Sequence, residues 1–284
     1  MIGGKTRVLG VIGCPVEHTS SPAMHNAAIA ALGLHHVYVA WRVEEEDLGA
    51  AVAGMRAMGI AGLNVTVPHK LGVMEHVDEI APEAKAIGAV NTVAWDGERL
   101  VGHNTDAYGV MESLRVQGGL ETLPAKVALL GAGGASRAVL YGLLQRPEVE
   151  EVLLLNRTVQ RAEELAGDLD PQGKKVRCGG LDRIGDVRDC GLLINSTSIG
   201  MHPNENASPL PDGGCLHDGM VVLDIVYNPL KTVLLAQAEK AGARGINGLG
   251  MLAYQGARSF EIWTGVKPPA EAMIEAALAR MGAK

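Results

Sequence analysis

The sequence is poor in aromatic residues, positive charge, cysteine pairs and long apolar runs. One phenylalanine, three tryptophans and five tyrosines make up 3% of 284 residues, against 47% hydrophobic residues in all. Its cores must therefore be packed with aliphatic side chains and alanine. The length suits one large or two ordinary domains. The balance of 25 Lys and Arg against 32 Asp and Glu leaves a net charge of −7. That argues against a general nucleic-acid binder, whose footprint is a basic face. Any anionic ligand has to be held by local groups rather than by the overall field. Cys14, Cys178, Cys190 and Cys215 are scattered, with no C-x-x-C pair and no metal-ligand spacing, so reduced and mostly buried thiols and no metal site are expected. No apolar run approaches the ~18 residues that span a bilayer, and Met1-Ile2-Gly3-Gly4-Lys5 leads into a strand without a signal-peptide pattern. A cytoplasmic protein with no membrane and no nucleic-acid partner is expected. What is abundant is glycine: 37 residues, without the periodicity of a fibrous repeat, marking turns and close backbone approaches.

The first half alternates strand and helix signals. Val8–Gly13 reads as a short buried strand, and the loop 14–20 follows. Ser21-Pro22 has the N-cap and N1 chemistry of a helix start, with Gly33 as the stop. Thr19, Ser20 and Ser21 cluster hydroxyls at that helix N-terminus, where they can serve as simple caps or as a site for an anion such as a carboxylate. A second strand over 35–43 and a helix from Glu45 to Met58 come next. In Gly62-Leu63-Asn64-Val65-Thr66-Val67-Pro68-His69-Lys70, period-two alternation gives a half-buried strand, and Pro68 ends its pairing. Polar residues along one face and Lys70 just past the end suit a small-molecule site; an edge strand with a solvated lysine fits the same pattern. The β-α-β-α-β order predicts a small, mainly parallel sheet. A helix interrupted near Pro82 is expected over 71–87 and a strand over 88–93. Asp96-Gly97 signals a hairpin leading to Arg99–Gly102, and a helix begins near Ala107. Taken alone, Asp106 is a first-turn carboxylate favoured by the helix dipole, and Asn91 a strand-end residue.

The second half carries a dinucleotide signature. The buried strand Lys126–Leu130 runs into Gly131-Ala132-Gly133-Gly134-Ala135-Ser136-Arg137 and then a helix. Strand, glycine turn and helix in that order are the context a G-x-G-x-x-G fingerprint needs, although Ser136 replaces its third glycine. Backbone N–H groups and the helix N-terminus would hold a pyrophosphate. The next strand, Glu151–Leu155, ends in Asn156-Arg157-Thr158, with Arg161 one turn on. An NAD site would normally place Asp or Glu there for the ribose 2′-hydroxyl, so arginine favours a 2′-phosphate and hence NADP(H). Further strands are expected at Leu192–Ile194 and Met220–Val226, with a long Pro-, Gly- and Asn-rich loop over 202–219 between them. Tyr227, at a strand end, either touches substrate or packs as core. After Gly248 a helix carries Leu252, Gly256, Phe260 and Trp263 on one stripe, and Pro268-Pro269 starts the last helix. These C-terminal helices either close the Rossmann-like unit or return to the first domain.

With these pieces in order, the chain resembles shikimate dehydrogenases nearly end to end. The resemblance rests on Gly10–Gly13 with Ser21–Asn26, Asn64–Lys70, Ile87–Thr92 and Gly102–Asp106. It continues through the glycine turn, Asn156–Thr158, Tyr227–Pro229, and Gly248 with Met251 and Gln255. It implies NADPH-dependent reduction of 3-dehydroshikimate to shikimate on the route to chorismate and the aromatic amino acids. It also implies a two-domain α/β protein. Residues 1–105 and 248–284 would form a mainly parallel substrate domain, and 106–247 a Rossmann-like NADP-binding domain, with the active site in the cleft beside the nucleotide domain. Carried over by position, Lys70 and Asp106 are the catalytic pair and Asn91 binds substrate hydroxyls. Thr19 and Ser21 hold the substrate carboxylate, Thr66, Tyr227 and Gln255 line the substrate pocket, and Asn64 supports it from behind. Gly131, Ala132, Gly133, Gly134, Ala135, Asn156, Arg157, Thr158 and Arg161 hold the cofactor, with Ile225 and Gly248 flanking the nicotinamide. Thr19 departs from the serine usual in the family, which bears on shikimate against quinate or aminoshikimate. A quinate dehydrogenase and a catalytically idle NADPH sensor are the competing readings. The expected partner is a small-molecule substrate, and the expected assembly is a monomer or homodimer.

Overall fold

In a computed structural model that describes residues 2–282, the chain divides into two compact units. Among the described residues, one runs up to Gly109 and resumes at Ala253, and the other comprises Val110–Leu252. Both divisions fall inside helices.

The first unit is built on a six-stranded sheet. β1 (Arg7–Gly13), β2 (His36–Arg42) and β3 (Gly62–Val65) are connected by α1 (Ser21–Ala31) and α2 (Leu48–Met58). β1 lies between β2 and β3 and pairs with both in parallel. α2 stops because Gly59 turns left-handed at φ +63°, a conformation glycine adopts without a Cβ penalty. The chain continues through β4 (Glu79–Ile80), α3 (Pro82–Ile87), β5 (Thr92–Asp96) and β6 (Arg99–His103). The sheet order is β2-β1-β3-β5-β6-β4, with antiparallel pairing at β3–β5 and β5–β6. Val52 and Met55 of α2 pack with Leu63, Val65, Val93 and Leu100 of the sheet, each aliphatic side chain contributing roughly 1.5–3 kcal/mol by leaving water.

Several local expectations differ from what the backbone does. Residues 71–87 do not form a helix interrupted at Pro82 but a 3-10 turn (Gly72–Glu75), strand β4 and helix α3. The edge of β6 supplies the reason. The Asp78 N–H donates to the Leu100 carbonyl at 2.9 Å, and the Asp78 carboxylate accepts the Leu100 N–H at 2.7 Å, drawing the segment into pairing. β3 is buried along its whole length rather than half-buried, because it lies between β1 and β5. The expected strand over 88–93 starts only at Thr92, after Gly88 caps α3 at φ +74°. Ser21 is the first residue of α1 and Ser20 its cap, since the Ser20 carbonyl accepts the first helical bond, from the Met24 N–H at 3.1 Å. The helix expected from Glu45 begins as a 3-10 turn over Glu45–Asp47 before α2.

The second unit follows α4 (Asp106–Val116). β7 (Lys126–Leu130), α5 (Gly134–Leu144), β8 (Glu151–Leu155), α6 (Val159–Leu169) and β9 (Val176–Gly179) run to one side of the sheet. After a 3-10 run over Leu181–Asp189 the chain returns to place β10 (Leu192–Asn195) beside β7, then β11 (Val221–Asp224), α7 (Val233–Lys240) and β12 (Arg244–Ile246). All five pairings are parallel, in the order β12-β11-β10-β7-β8-β9. Renumbered from β7 this is 6-5-4-1-2-3, the doubly wound dinucleotide order, and its direction reverses between β7 and β10. Its strands read as apolar runs because both faces are covered, by Val139, Leu140 and Leu143 on one side and Leu234 and Leu235 on the other.

The chain ends in α8 (Leu249–Thr264) and α9 (Ala270–Arg280), and α9 packs on α1 of the first unit. On α8, Gly256 and Phe260 are buried, while Leu252 and Trp263 are half-buried. Among the described residues no helix is long and apolar enough to cross a membrane.

Candidate active site

Two constellations emerge, one in each unit. In the first, the turn after β3 carries Lys70, and the start of α4 carries Asp106. Lys70 Nζ donates to Asp106 Oδ2 at 2.6 Å, the carboxylate being 8% exposed and the lysine side chain 25%. The other carboxylate oxygen, Oδ1, accepts from Asn91 Nδ2 at 2.8 Å, and the Asp106 N–H donates to Asn104 Oδ1 at 3.0 Å. The lysine is fixed from its own backbone. The Val90 N–H donates to the Lys70 carbonyl at 2.9 Å, and His69 packs its ring nitrogen Nε2 at 2.7 Å from the Val43 carbonyl.

The orientation of Asn91 follows from proton bookkeeping. The Thr105 backbone N–H can only donate, and it points at Asn91 Oδ1 at 2.9 Å, so Nδ2 must be the atom facing Asp106. Nδ2 also lies 3.3 Å from Gln255 Oε1 on α8. Lys70, Asp106, Asn91 and Gln255, distant in sequence, are thus brought together. Asn64 sits behind them, buried, with Nδ2 donating to the Asn91 backbone carbonyl at 3.2 Å. Thr19 and Ser21 form a hydroxyl pair at the start of α1, Thr19 Oγ1 donating to Ser21 Oγ at 3.1 Å. Thr66 is half-buried, and its carbonyl accepts the His69 N–H at 2.9 Å.

In the second unit the glycine turn opens on a cavity of about 380 Å³. It lies at the carboxyl ends of β7 and β10, where a doubly wound sheet places its ligand. Gly131, Ala132, Gly133, Asn156, Arg157 and Arg161 line it, with Ser196 to Ile199 and Leu181 opposite. Gly131 sits at φ +108°, and an added Cβ would meet Ser196 and Thr197 at 3.0 Å. At Gly133 and Gly134 an added Cβ would meet nothing within 4 Å, so the turn is open to a ligand. The lining includes two arginines and no carboxylate. Among the described residues neither arginine has an acidic partner within ion-pairing distance. Gly134, Ala135 and Thr158 stand beside the cavity rather than in its lining, Thr158 accepting from Asn156 Nδ2 through its carbonyl at 2.8 Å.

Ile225 and Tyr227 follow β11, and the Ile225 N–H donates to the Asn195 carbonyl at 3.0 Å. A Cβ at Gly248 would fall 1.9 Å from the Ile225 carbonyl oxygen, so only glycine fits there. Burial raises the Tyr227 phenol above its usual range. Among the described residues no group of three His, Cys, Asp or Glu is placed to hold a metal.

Comparison with known proteins decides the family. The shikimate dehydrogenase substrate binding domain model matches residues 11–93, the shikimate/quinate 5-dehydrogenase model 116–203, and the shikimate 5′-dehydrogenase C-terminal domain model 248–278. The shikimate dehydrogenase (NADP+) of Methanopyrus kandleri is 48% identical over 283 residues, covering 98% of this chain and 97% of its own. The chain belongs to the shikimate dehydrogenase family. A shikimate dehydrogenase crystallised with NADP+ superposes with a TM-score of 0.92 at 43% identity, covering 99% of this chain and 98% of its own. The shikimate 5-dehydrogenase of Thermus thermophilus, in complex with NADP(H) and shikimate, gives 0.87 at 39% identity, covering 97% of this chain and all of its own.

The structure adds residues and roles that sequence reasoning did not assign. Ser136, where a third glycine was expected, is fully buried and accepts the Gly133 N–H at 2.9 Å. Ser196 donates to the Leu130 carbonyl at 2.6 Å, which only accepts, so the 2.7 Å contact between the two serines is donated by Ser136. Asp224 is a fully buried carboxylate. Asn195 Nδ2, the Val226 N–H and the Thr232 hydroxyl bond it at 2.7 to 3.1 Å, and burial raises its pKa. It shapes the turn into Ile225. A polar run that begins at Asn195, the last residue of β10, beside a strand ending in Asp224, was the available signal.

Proposed function

We propose that this chain reversibly reduces 3-dehydroshikimate to shikimate with NADPH, a step toward the aromatic amino acids. The observation that carries the reading is the buried Asp106 held between Lys70 and Asn91. When bound, NADPH supplies the hydride. As hydride reaches the substrate ketone, negative charge develops on its oxygen, and the Lys70 ammonium stabilises that charge and gives up the proton. Asp106 orients the ammonium and accepts from a substrate hydroxyl. Asn91 holds Asp106 and offers its amide to the substrate beside it. Thr19 and Ser21, at a helix N-terminus, supply hydroxyls and a favourable dipole for the substrate carboxylate, with Thr66 and Gln255 of the same unit lining the pocket.

The cofactor residues fit a dinucleotide. The open turn at Gly133 and Gly134 leaves room for a pyrophosphate against the N–H groups of α5, which precede its first intrahelical bond. Arg157 and Arg161 supply charge for a 2′-phosphate where an acidic residue would select NAD. Ala132 and Asn156 complete the wall, with Ala135 and Thr158 beside it, and Ile225 and Gly248 flank the nicotinamide. The test follows nicotinamide absorbance with shikimate and quinate against NADP+ and NAD+. Oxidation of shikimate with NADP+ is expected. Its absence overturns the reading, and quinate oxidation at comparable efficiency would make this chain a quinate dehydrogenase instead, with the Thr19 methyl as the first residue to change.

A further inference from the structure

Behind Asn91 the hydrogen bonds reach back to Tyr38, a residue that the chemistry above does not use. Tyr38, on β2, is 1% exposed, and its ring stacks on His25 with centroids 4.2 Å apart at 7°. Its hydroxyl donates to Asn64 Oδ1 at 2.7 Å. The amide orientation of Asn64 is settled by the Asn91 backbone carbonyl, which can only accept and lies 3.2 Å from Nδ2. Nδ2 further faces Thr92 Oγ1 at 3.2 Å and Ser259 Oγ at 3.0 Å. Thr92 donates to Asn91 Oδ1 at 2.9 Å, and Ser259 lies within bonding distance of both Thr92 and Thr105. So Asn64 holds Asn91 by its backbone and, through Thr92, by its side chain, while Asn91 in turn holds Asp106 Oδ1.

We infer that Tyr38 is a positioning residue for Asp106, acting through Asn64 and Asn91. The inference rests on the catalytic reading of Lys70 and Asp106. The phenol is the donor to Asn64 Oδ1, the acceptor end of that amide. Without it the amide has an unsatisfied buried oxygen, which favours its turning over. Turning over would point Oδ1 at the Asn91 carbonyl, repel it, and shift Asn91 and Asp106 relative to Lys70. Such a displacement changes the reaction step more than the binding of a cofactor held by a separate cavity.

The test is Tyr38→Phe, which keeps the ring stacked on His25 and removes only the hydroxyl. The expected result is a kcat for shikimate oxidation lower by about 10- to 100-fold, with the KM for NADP+ within about twofold of the parent. Placed in an Asn91→Ala background, Tyr38→Phe should lower kcat by no more than about twofold further, because its route to Asp106 is already cut. Ser259→Ala approaches Asn64 from the other side and should give the same split if Tyr38→Phe folds poorly. Full turnover in Tyr38→Phe, with the parent active on shikimate, overturns the inference and leaves the function standing. The same loss with and without Asn91 also overturns it, since Tyr38 would then act elsewhere. A parent that does not oxidise shikimate removes both readings at once.

Discussion

Removing the Lys70 ammonium should separate chemistry from stability. Lys70→Ala deletes the partner 2.6 Å from Asp106 Oδ2 but leaves the carboxylate with Asn91 Nδ2 at 2.8 Å on Oδ1. The lysine side chain is a quarter exposed, so water can reach the oxygen it vacates, and the variant should stay folded. The loss on the reaction is larger. A positioned general acid contributes about 10²- to 10⁴-fold, or roughly 3–5 kcal/mol of barrier. Because Lys70 and the cavity at Gly131 belong to different units, the KM for NADP+ should stay near that of the parent. The assay is initial-rate shikimate oxidation at saturating NADP+, with thermal unfolding on the same preparation. A kcat within about threefold of the parent's would place Lys70 outside the proton transfer, since no general acid contributes so little. A fall in kcat matched by collapse of the unfolding transition would instead assign the pair to the fold.

Arg157→Asp should raise the KM for NADPH by about 10- to 100-fold, the worth of one charge-assisted phosphate contact, and improve NADH; an unchanged preference in steady-state kinetics refutes the 2′-phosphate argument. Gly131→Ala forces a side chain into φ +108° and against Ser196 and Thr197, so NADPH affinity measured by fluorescence titration should fall, with shikimate-side residues untouched. His25, fully buried with neither ring nitrogen bonded among the described residues, is driven down by desolvation to about 3 from 6.5. Below 6.5 the unfolded chain takes up this proton and the folded chain does not, so His25 lowers stability as pH falls toward 3, by up to about 1.4 kcal/mol per pH unit. His25→Phe should flatten that part of the curve in urea unfolding followed across the same pH range.

What was legible in the sequence was mostly what is local. The strand, glycine turn and helix at 126–144 are contiguous, so a site at that turn could be expected, and the cavity found there is lined by the two arginines named for it. The bond between Lys70 and Asp106 spans 36 residues, and Asn91 reaches Gln255 across 164. No period or propensity encodes such contacts, and only resemblance to a family paired them. The same limit explains the helix expected over 71–87. Its composition suits a helix, yet an open edge on β6 captured Asp78 to Ile80 from outside the segment. Ser136 was visible only as a missing glycine. Its bonds to Gly133 and Ser196 show that a hydroxyl there closes the turn onto β10.

On the proposed reading, the local means by which this acidic protein would bind anions are of two kinds, and the difference bears on function. At α1 the donors are neutral hydroxyls and a helix end, which suit a carboxylate that must come and go. At the cofactor cavity two arginines add fixed charge, which suits a 2′-phosphate that distinguishes one dinucleotide from another. Among the described residues Asp106 is the carboxylate paired with Lys70, and its other oxygen accepts from a neutral group, Asn91 Nδ2, while the Asp106 N–H donates to Asn104. A neutral donor fixes the carboxylate without competing with Lys70 for its charge. A second cation in place of Asn91 would hold Asp106 as firmly and weaken its grip on the ammonium. The amide at position 91 thus keeps the pair a pair, which is why the bonds that orient that amide reach back as far as Tyr38.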